Sequence, residues 1–432
     1  WLEVFFACSE LGAIAVAINT RFRSSEVGDI LERSGAKVLI LCPSFRGINF
    51  IEILDQINTH CLTKITSVVA YTEENEPHLE SIGSLPVYSY TALLHSTETV
   101  SNRISMDSAC IMFTTSGTTR SPKLVLHAQK GIAHHAREVA VVLGLDQPKS
   151  ALLQVIPFCG VYGFSQAVAA LAGGAAIICV PEFNADDTLS LIDRYQISHL
   201  CGSDEMFARL MDVLPNSKLF PKVTFCGFAT FTPSLGDIVE LADRRGLKLV
   251  GLYGASEILA YFASQNPDDT PHCRARMGGF PVSAIAEVRV RAPEDGRLLG
   301  TDEIGELEFK GPSLMHQYFN DEDATTAAFT EDGFFKSGDL GCLRPDGSFE
   351  FLSRMGDVLR LGGFLVNPQE IETCVQTHPA VDGCQVVGVD GPRGTRPVGF
   401  VTTRNNATAL EHDLIDHCKI GMAKYKVPYR IF

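Results

Sequence analysis

The segment Thr114-Thr115-Ser116-Gly117-Thr118-Thr119-Arg120-Ser121-Pro122-Lys123 gathers hydroxyl side chains around one glycine and ends on a lysine. Such a loop presents backbone N–H groups, hydroxyls and an ammonium to a polyphosphate, and it needs no helix N-terminus to do so. Thr115, Ser116, Gly117, Thr118, Thr119 and Lys123 are therefore the candidate phosphate ligands. A Ser/Thr-rich surface turn is the plainer reading of the same composition. It is not a Walker loop, because no Gly-x-x-x-x-Gly-Lys-Ser/Thr spacing occurs. His127, His134 and His135 have no carboxylate or cysteine at ligand spacing, so a solvated helix face is expected of them rather than a metal centre. Asn320-Asp321-Glu322-Asp323 lacks the spacing of a calcium loop.

The elements that must carry this loop follow from the whole chain. At 432 residues it exceeds one ordinary core, and a large domain with a smaller one is expected. With 45% hydrophobic and 20% charged residues it has the composition of a globular protein. A formal charge of −15 repels phosphate backbones, which argues against nucleic acid as a partner and means that an anionic ligand must be met by local donors. Thirteen cysteines without a Cys-x-x-Cys pair support neither a disulfide framework nor a zinc site, and fit a cytoplasmic compartment. The opening Trp1-Leu2-Glu3 lacks both a starting Met and a basic flank, so the chain is expected to begin inside a longer protein.

Short apolar runs at 38–41, 111–113, 152–156, 176–180, 223–225 and 249–252 read as buried strands, and their alternation with helical patterns predicts an α/β domain of largely parallel sheet. Ile132, Ala136, Val139 and Val142 mark one face of a helix. Residues 151–180 contain no charge. Pro157, Gly160, Gly163, Gly173 and Gly174 break the run, so buried strand, helix and strand are expected, not a transmembrane segment. From about Pro281 the pattern turns antiparallel and barrel-like, with strands at 285–290, 305–309 and 347–351. After Asp357 comes a small α+β unit, with a helix entered through Pro368, strands at 385–387 and 399–402, and a helix across 410–422. Two domains result, 1–356 and 357–432.

With these elements in place, the loop resembles the signature of the adenylate-forming, AMP-binding superfamily, which includes acyl-CoA synthetases, aryl-CoA ligases, luciferases and amino-acid adenylation domains. Tyr253-Gly254-Ala255-Ser256-Glu257 is similar to the Tyr-Gly-x-Thr-Glu element of that family. Ser337-Gly338-Asp339 is similar to its Thr-Gly-Asp segment, the stretch from Ser353 to Phe364 to its hinge region, and Pro368-Gln369-Glu370-Ile371-Glu372 to a structural helix start. Gly311-Pro312-Ser313 with Tyr318, and Lys424-Tyr425-Lys426-Val427-Pro428, add further matches. The resemblance implies an ATP-dependent ligase that activates a carboxylic acid and passes it to coenzyme A.

By the same resemblance, Lys123, Ser256 and Glu257 are catalytic and Glu257 holds Mg2+. Gly227, Phe228, Ala229, Tyr253, Gly254 and Ala255 surround adenine. Asp339, whose two acceptor oxygens suit a vicinal diol, binds the ribose with Arg354. Asp357 is the pivot of the small domain, and Gly362, Gly363 and Phe364 line the coenzyme A channel. Gly160, Phe164 and Phe228 shape the acyl pocket: Gly160 stands where a His or aromatic is usual, which widens the entrance, and Phe228 replaces a small residue, which narrows it. Arg120 replaces a second glycine of the loop. Family members carry a catalytic lysine further on than Phe432. An amino-acid or aryl-acid adenylation domain and a nucleotide-binding pseudoenzyme remain as alternatives. Amino-acid adenylation domains usually place an Asp in the segment equivalent to 158–164 to hold the substrate ammonium, and this chain has no acid there.

Overall fold

A computed structural model describes residues 1–432 apart from 73–79, 97–103, 116–121, 216–219, 230–237, 356–358, 363, 367, 392–393 and 405–409. Most of the phosphate loop, the expected pivot Asp357, and Gly363 lie outside the described residues. The chain divides into two compact units. The first comprises Trp1–Ala17, Ser105–Pro368 and Gly388–Arg396; the second comprises Ile18–Ile104, Gln369–Val387 and Pro397–Phe432.

In the first unit one sheet runs through twelve strands. Five are parallel, in the order Ala176–Cys179, Ala151–Gln154, His199–Ser203, Phe225–Ala229 and Leu249–Tyr253. Ala263–Ser264 and Met277–Pro281 then turn the sheet antiparallel, and Phe349–Arg354, Phe335–Leu343, Gly305–Lys310, Glu287–Arg291 and Leu298–Leu299 continue it. The antiparallel region expected from Pro281 onward is thus joined edge to edge with the parallel one. The parallel half buries Leu153, Leu200, Cys226 and Leu249 beneath Phe207, Leu210 and Val239. Glu308 is fully buried on the antiparallel half, held between Arg289 at 2.5 Å and Arg291 at 2.9 Å.

A second sheet of this unit orders Ala15–Ala17, Ala109–Thr115, Lys123–Ala128 and Gln317–Tyr318. Ala109–Thr115 and Lys123–Ala128 pair antiparallel with Thr115 opposite Lys123, so the two ends of the phosphate loop are held together. The uncharged stretch forms the strand Ala151–Gln154, the largely buried helix Val161–Gly173 and the strand Ala176–Cys179. Among the described residues no helix is long and apolar enough to cross a membrane.

The second unit contains a sheet ordered Val38–Leu41, Ser67–Ala70, Leu85–Ser89 and Ser81–Ile82, and most of the three-stranded sheet of Val381–Val389, Arg396–Thr403 and Arg430–Ile431. The helices Ser24–Ser34, Pro368–Gln376 and Glu411–Gly421 also belong to it, apart from Pro368 itself. Lys426, 3% exposed, places Nζ 2.8 Å from Glu26 Oε1 and 2.5 Å from Glu370 Oε1.

Several expectations need correction. Val38 and Ile40 are about half exposed, because alternate side chains of that strand point to a sheet face that is not fully covered, and Ala176 and Cys179, at the two ends of an edge strand, are exposed. The strand expected at 223–225 begins at Phe225 and runs to Ala229, which puts Gly227, Phe228 and Ala229 on the strand. The strand expected at 347–351 is Phe349–Arg354, since Gly347, at φ 87°, belongs to the turn before it.

Candidate active site

Parallel strands of an open sheet present ligand sites at their carboxyl ends. Ser203, Ala229 and Tyr253 end three neighbouring strands. After Tyr253 the chain makes a sharp turn that needs glycine: a Cβ on Gly254 would sit 2.5 Å from Ala260 Cα. Ser256–Ile258 is a single 3-10 turn, and Leu259, Ala260 and Tyr261 follow in the left-handed region at φ 60°, 49° and 39°. Three consecutive left-handed non-glycine residues cost energy that their surroundings must offset.

Buried polar side chains hold that turn. His127 Nε2 lies 2.7 Å from the carbonyl oxygen of Ser256, and His135 Nε2 lies 3.1 Å from those of Leu259 and Ala260. Ser165 Oγ donates to the Leu259 carbonyl at 2.6 Å, and Tyr261 Oη donates to Gln166 Oε1 at 3.2 Å. The solvated helix face expected of the histidines is therefore wrong for two of them. His127 lies on the strand Lys123–Ala128, and both His127 and His135 are buried. Burial lowers each imidazole pKa to about 4, against the opposing pull of the carbonyl contacts, so both are neutral donors. The half-buried His134 lies 3.1 Å from Glu138.

Glu257 emerges from this turn half-buried, and its Oε1 accepts a 2.8 Å hydrogen bond from Tyr318 Oη. Tyr318 is placed by pairing opposite Val125, two residues beyond Lys123, and its ring lies 4.3 Å from Lys123 Nζ. Burial first and the Glu257 charge second push the Tyr318 phenol above its ordinary range, so it remains a donor.

Asp339 is 4% exposed and stands opposite Arg354 in the antiparallel register. Its Oδ2 accepts from Tyr253 Oη at 2.6 Å. Its Oδ1 lies 3.0 Å from Arg354 Nη1 as an ion pair without hydrogen-bond alignment, which leaves acceptor capacity on that oxygen. Burial raises the Asp339 pKa while Arg354, the Tyr253 hydroxyl and Arg360 act to lower it. Burial acts to lower the Arg354 pKa, but Asp339 and Glu257 outweigh it and hold the guanidinium above its ordinary value. Arg354 thus feels both carboxylates, and one electrostatic site contains Glu257, Asp339, Tyr253, Tyr318 and Arg354.

The remaining candidates fall in different surroundings. Thr115 and Lys123 flank the phosphate loop, while Ser116, Gly117, Thr118 and Thr119 lie outside the described residues. Gly227 receives a 3.3 Å hydrogen bond at its carbonyl from Tyr162 Oη, Ala229 and Ala255 are half-buried, and Gly254 is exposed. Phe228 lies in the hydrophobic core with Leu153, Leu200 and Leu249 rather than at an open surface. Phe164 is fully buried against Phe5 and Phe113, with ring centroids 4.9 and 5.3 Å away. Gly160 precedes the helix Val161–Gly173 and is open, since a Cβ there would meet only the Pro157 carbonyl at 3.9 Å. Gly362, at φ 56°, turns the hairpin of Leu359–Leu361 and Phe364–Val366.

Residue-type reasoning missed Arg360, Tyr162, His127 and His135. Arg360 lies close enough to Asp339 for that charge to act on it, although burial is the larger influence and lowers its pKa. His135 was open to discovery, because it falls on the same helical face as Ile132, Ala136 and Val139.

The model of the AMP-binding enzyme family matches residues 1–319, and that of the AMP-binding enzyme C-terminal domain matches residues 370–432. A probable acyl-activating enzyme 4 of Arabidopsis thaliana is 30% identical over 334 residues, covering 73% of this chain and 60% of its own length. A putative acyl-CoA synthetase of Bacillus subtilis (strain 168) is 27% identical over 452 residues, covering 100% of this chain and 81% of its own length. Among solved structures, a double mutant of the o-succinylbenzoate CoA synthetase of Bacillus subtilis bound with its product analogue superposes with a TM-score of 0.82 at 25% identity, covering 100% of this chain and 82% of that one. By its fold and by both family models, the chain belongs to the AMP-binding, adenylate-forming enzymes.

Proposed function

We propose that this protein activates a simple carboxylic acid with ATP and transfers the acyl group to coenzyme A. The observation that carries the reading is Asp339: a buried carboxylate fixed by Tyr253 and Arg354 beside the ends of parallel strands, with one oxygen still able to accept from a ribose hydroxyl. The names of the relatives and of the solved structures, acyl-CoA synthetase and o-succinylbenzoate CoA synthetase, support the same chemistry.

In this reading Gly227, Ala229, Tyr253, Gly254 and Ala255 border the adenine, and Asp339 with Arg354 orients the ribose. Thr115, Lys123 and the loop between them hold the polyphosphate. The substrate carboxylate attacks the α-phosphorus, the bond to pyrophosphate breaks, and Lys123 with the loop donors stabilises the departing charge. The coenzyme A thiol then attacks the acyl carbon, and AMP leaves. Gly362, Gly363 and Phe364 are the proposed border of the thiol channel. Glu257 is an oxygen donor fitted to Mg2+, because Tyr318 fixes its carboxylate without neutralising it. When bound, Mg2+ supplies charge neutralisation at the α-phosphate.

We place the start of the small domain at Asp357, and Gly160 at an open mouth of the acyl pocket. The thirteen cysteines, none of them in a disulfide, support a cytoplasmic setting. The test is pyrophosphate release with ATP, Mg2+, coenzyme A and a panel of acetate, medium and long fatty acids, aromatic acids and amino acids. Release with an organic acid and not with α-amino acids is expected. Release only with amino acids would replace the reading.

A further inference from the structure

We propose that Glu32, His60 and Cys61 form a divalent-metal site suited to zinc, separate from the ATP site. Glu32 lies on the helix Ser24–Ser34, and His60 and Cys61 lie on the 3-10 turn Thr59–Leu62. All three belong to the second compact unit.

The donor atoms converge. His60 Nε2 is 3.2 Å from Glu32 Oε2, Cys61 Sγ is 3.4 Å from the same oxygen, and Cys61 Sγ is 3.3 Å from His60 Nε2. A tetrahedral zinc ion with ordinary Zn–S, Zn–N and Zn–O bonds needs edges of about 3.4–3.6 Å between such atoms. Opening each edge by about 0.2 Å therefore admits the ion. One imidazole, one thiolate and one carboxylate form a donor set that zinc favours over magnesium or calcium, which take oxygen almost alone.

The local fold builds this convergence. Asn58 caps the turn through His60 N–H at 3.3 Å. Gly28, one turn before Glu32, lets the helix lie close: a Cβ there would be 3.1 Å from Ile57 Cγ2 and 3.6 Å from Cys61 Sγ. Cys61 is buried, while His60 and Glu32 are exposed, so an ion reaches the site from solvent and a water completes its shell. Asp29 adds negative charge near Cys61 while holding Arg33 at 2.7 Å. Without metal the thiol donates to Glu32, and burial and that carboxylate keep it protonated. On binding, the sulfur–hydrogen bond breaks, the sulfur–metal bond forms, and the proton leaves to solvent. The 27 residues between Glu32 and His60 hide the site from any search for short ligand spacing.

The test uses the full chain stripped of metal, with Zn2+ alone, and Co2+ as a spectroscopic stand-in. One zinc per chain should survive gel filtration, and Co2+ should give a thiolate charge-transfer band. Cys61→Ser should abolish that band and weaken zinc binding about a hundredfold, with smaller losses for His60→Gln and Glu32→Gln. Zinc should also protect Cys61 of the unmodified chain from alkylation, a readout that stands if a variant fails to fold. ATP-dependent pyrophosphate release should be unchanged in Cys61→Ser. Zinc that is not retained, or is retained equally by Cys61→Ser, or leaves Cys61 open to alkylation, would overturn the proposal.

Discussion

Tyr318 donates its phenolic hydrogen to Glu257 over 2.8 Å while its ring supports the Lys123 ammonium 4.3 Å away. One side chain thus positions both the proposed metal carboxylate and the proposed phosphate lysine. A hydrogen bond to a charged acceptor is worth about 1.5–3 kcal/mol. Tyr318→Phe is expected to lower kcat/KM for ATP by about tenfold or more and to raise the Mg2+ concentration needed for half-maximal rate. Steady-state kinetics at varied Mg2+ check it. An unchanged Mg2+ dependence would separate Tyr318 from Glu257.

Asp339 is predicted to act on nucleotide affinity. Asp339→Asn keeps the shape but exchanges one acceptor for a donor and removes the charge facing Arg354. AMP and ATP binding by calorimetry should weaken about tenfold to a hundredfold. Equal weakening for a ribose-free triphosphate would assign the effect to the fold.

His127 and His135 make stability depend on pH. In the unfolded chain each imidazole takes a proton near pH 6.5, whereas in the folded one it does so only at about 4. The unfolded state therefore binds more protons between those values. Stability is full above pH 6.5 and falls as pH drops toward 4, by at most about 3 kcal/mol for each histidine. Thermal melts from pH 7 to 4 should show the fall, and a His127→Gln/His135→Gln variant should show a shallower one. Parallel curves would contradict the assignment.

Lys426 holds two carboxylates in the second unit. Burial acts to lower its pKa, but Glu26, Tyr425 and Glu370 hold it above the usual value. Lys426→Met leaves Glu26 and Glu370 facing each other without a cation and should destabilise by about 3–5 kcal/mol. Adding Glu26→Gln and Glu370→Gln should recover much of that. Denaturant unfolding of the single and triple variants checks both.

The parts of the site most legible in the sequence were those where one residue type has one chemical use. The backbone path from Tyr253 to Glu257 and the carboxylate Asp339 lie in short segments rich in polar groups, so their composition announces them, whereas most of the loop from Thr115 to Lys123 lies outside the described residues. Tyr318 has no role that its own segment reveals, because strand pairing with Val125 is what brings it to Glu257. By type and spacing alone, His127 and His135 suggest a solvated helix face. Their partners are backbone carbonyls more than a hundred residues away, which no side-chain spacing encodes. Phe228 was read by residue size alone, whereas the strand Phe225–Ala229 turns it into the core. The run Val38–Leu41 reads as buried, yet an apolar run does not say whether both faces of its strand are covered.

Attack by a carboxylate on the α-phosphorus of ATP is reported directly by its products. Phosphorus NMR of the reaction with an accepted acid should show AMP and pyrophosphate in equal amounts, formed only when the acid is present. ADP and orthophosphate, or AMP formed at the same rate without acid, would contradict it.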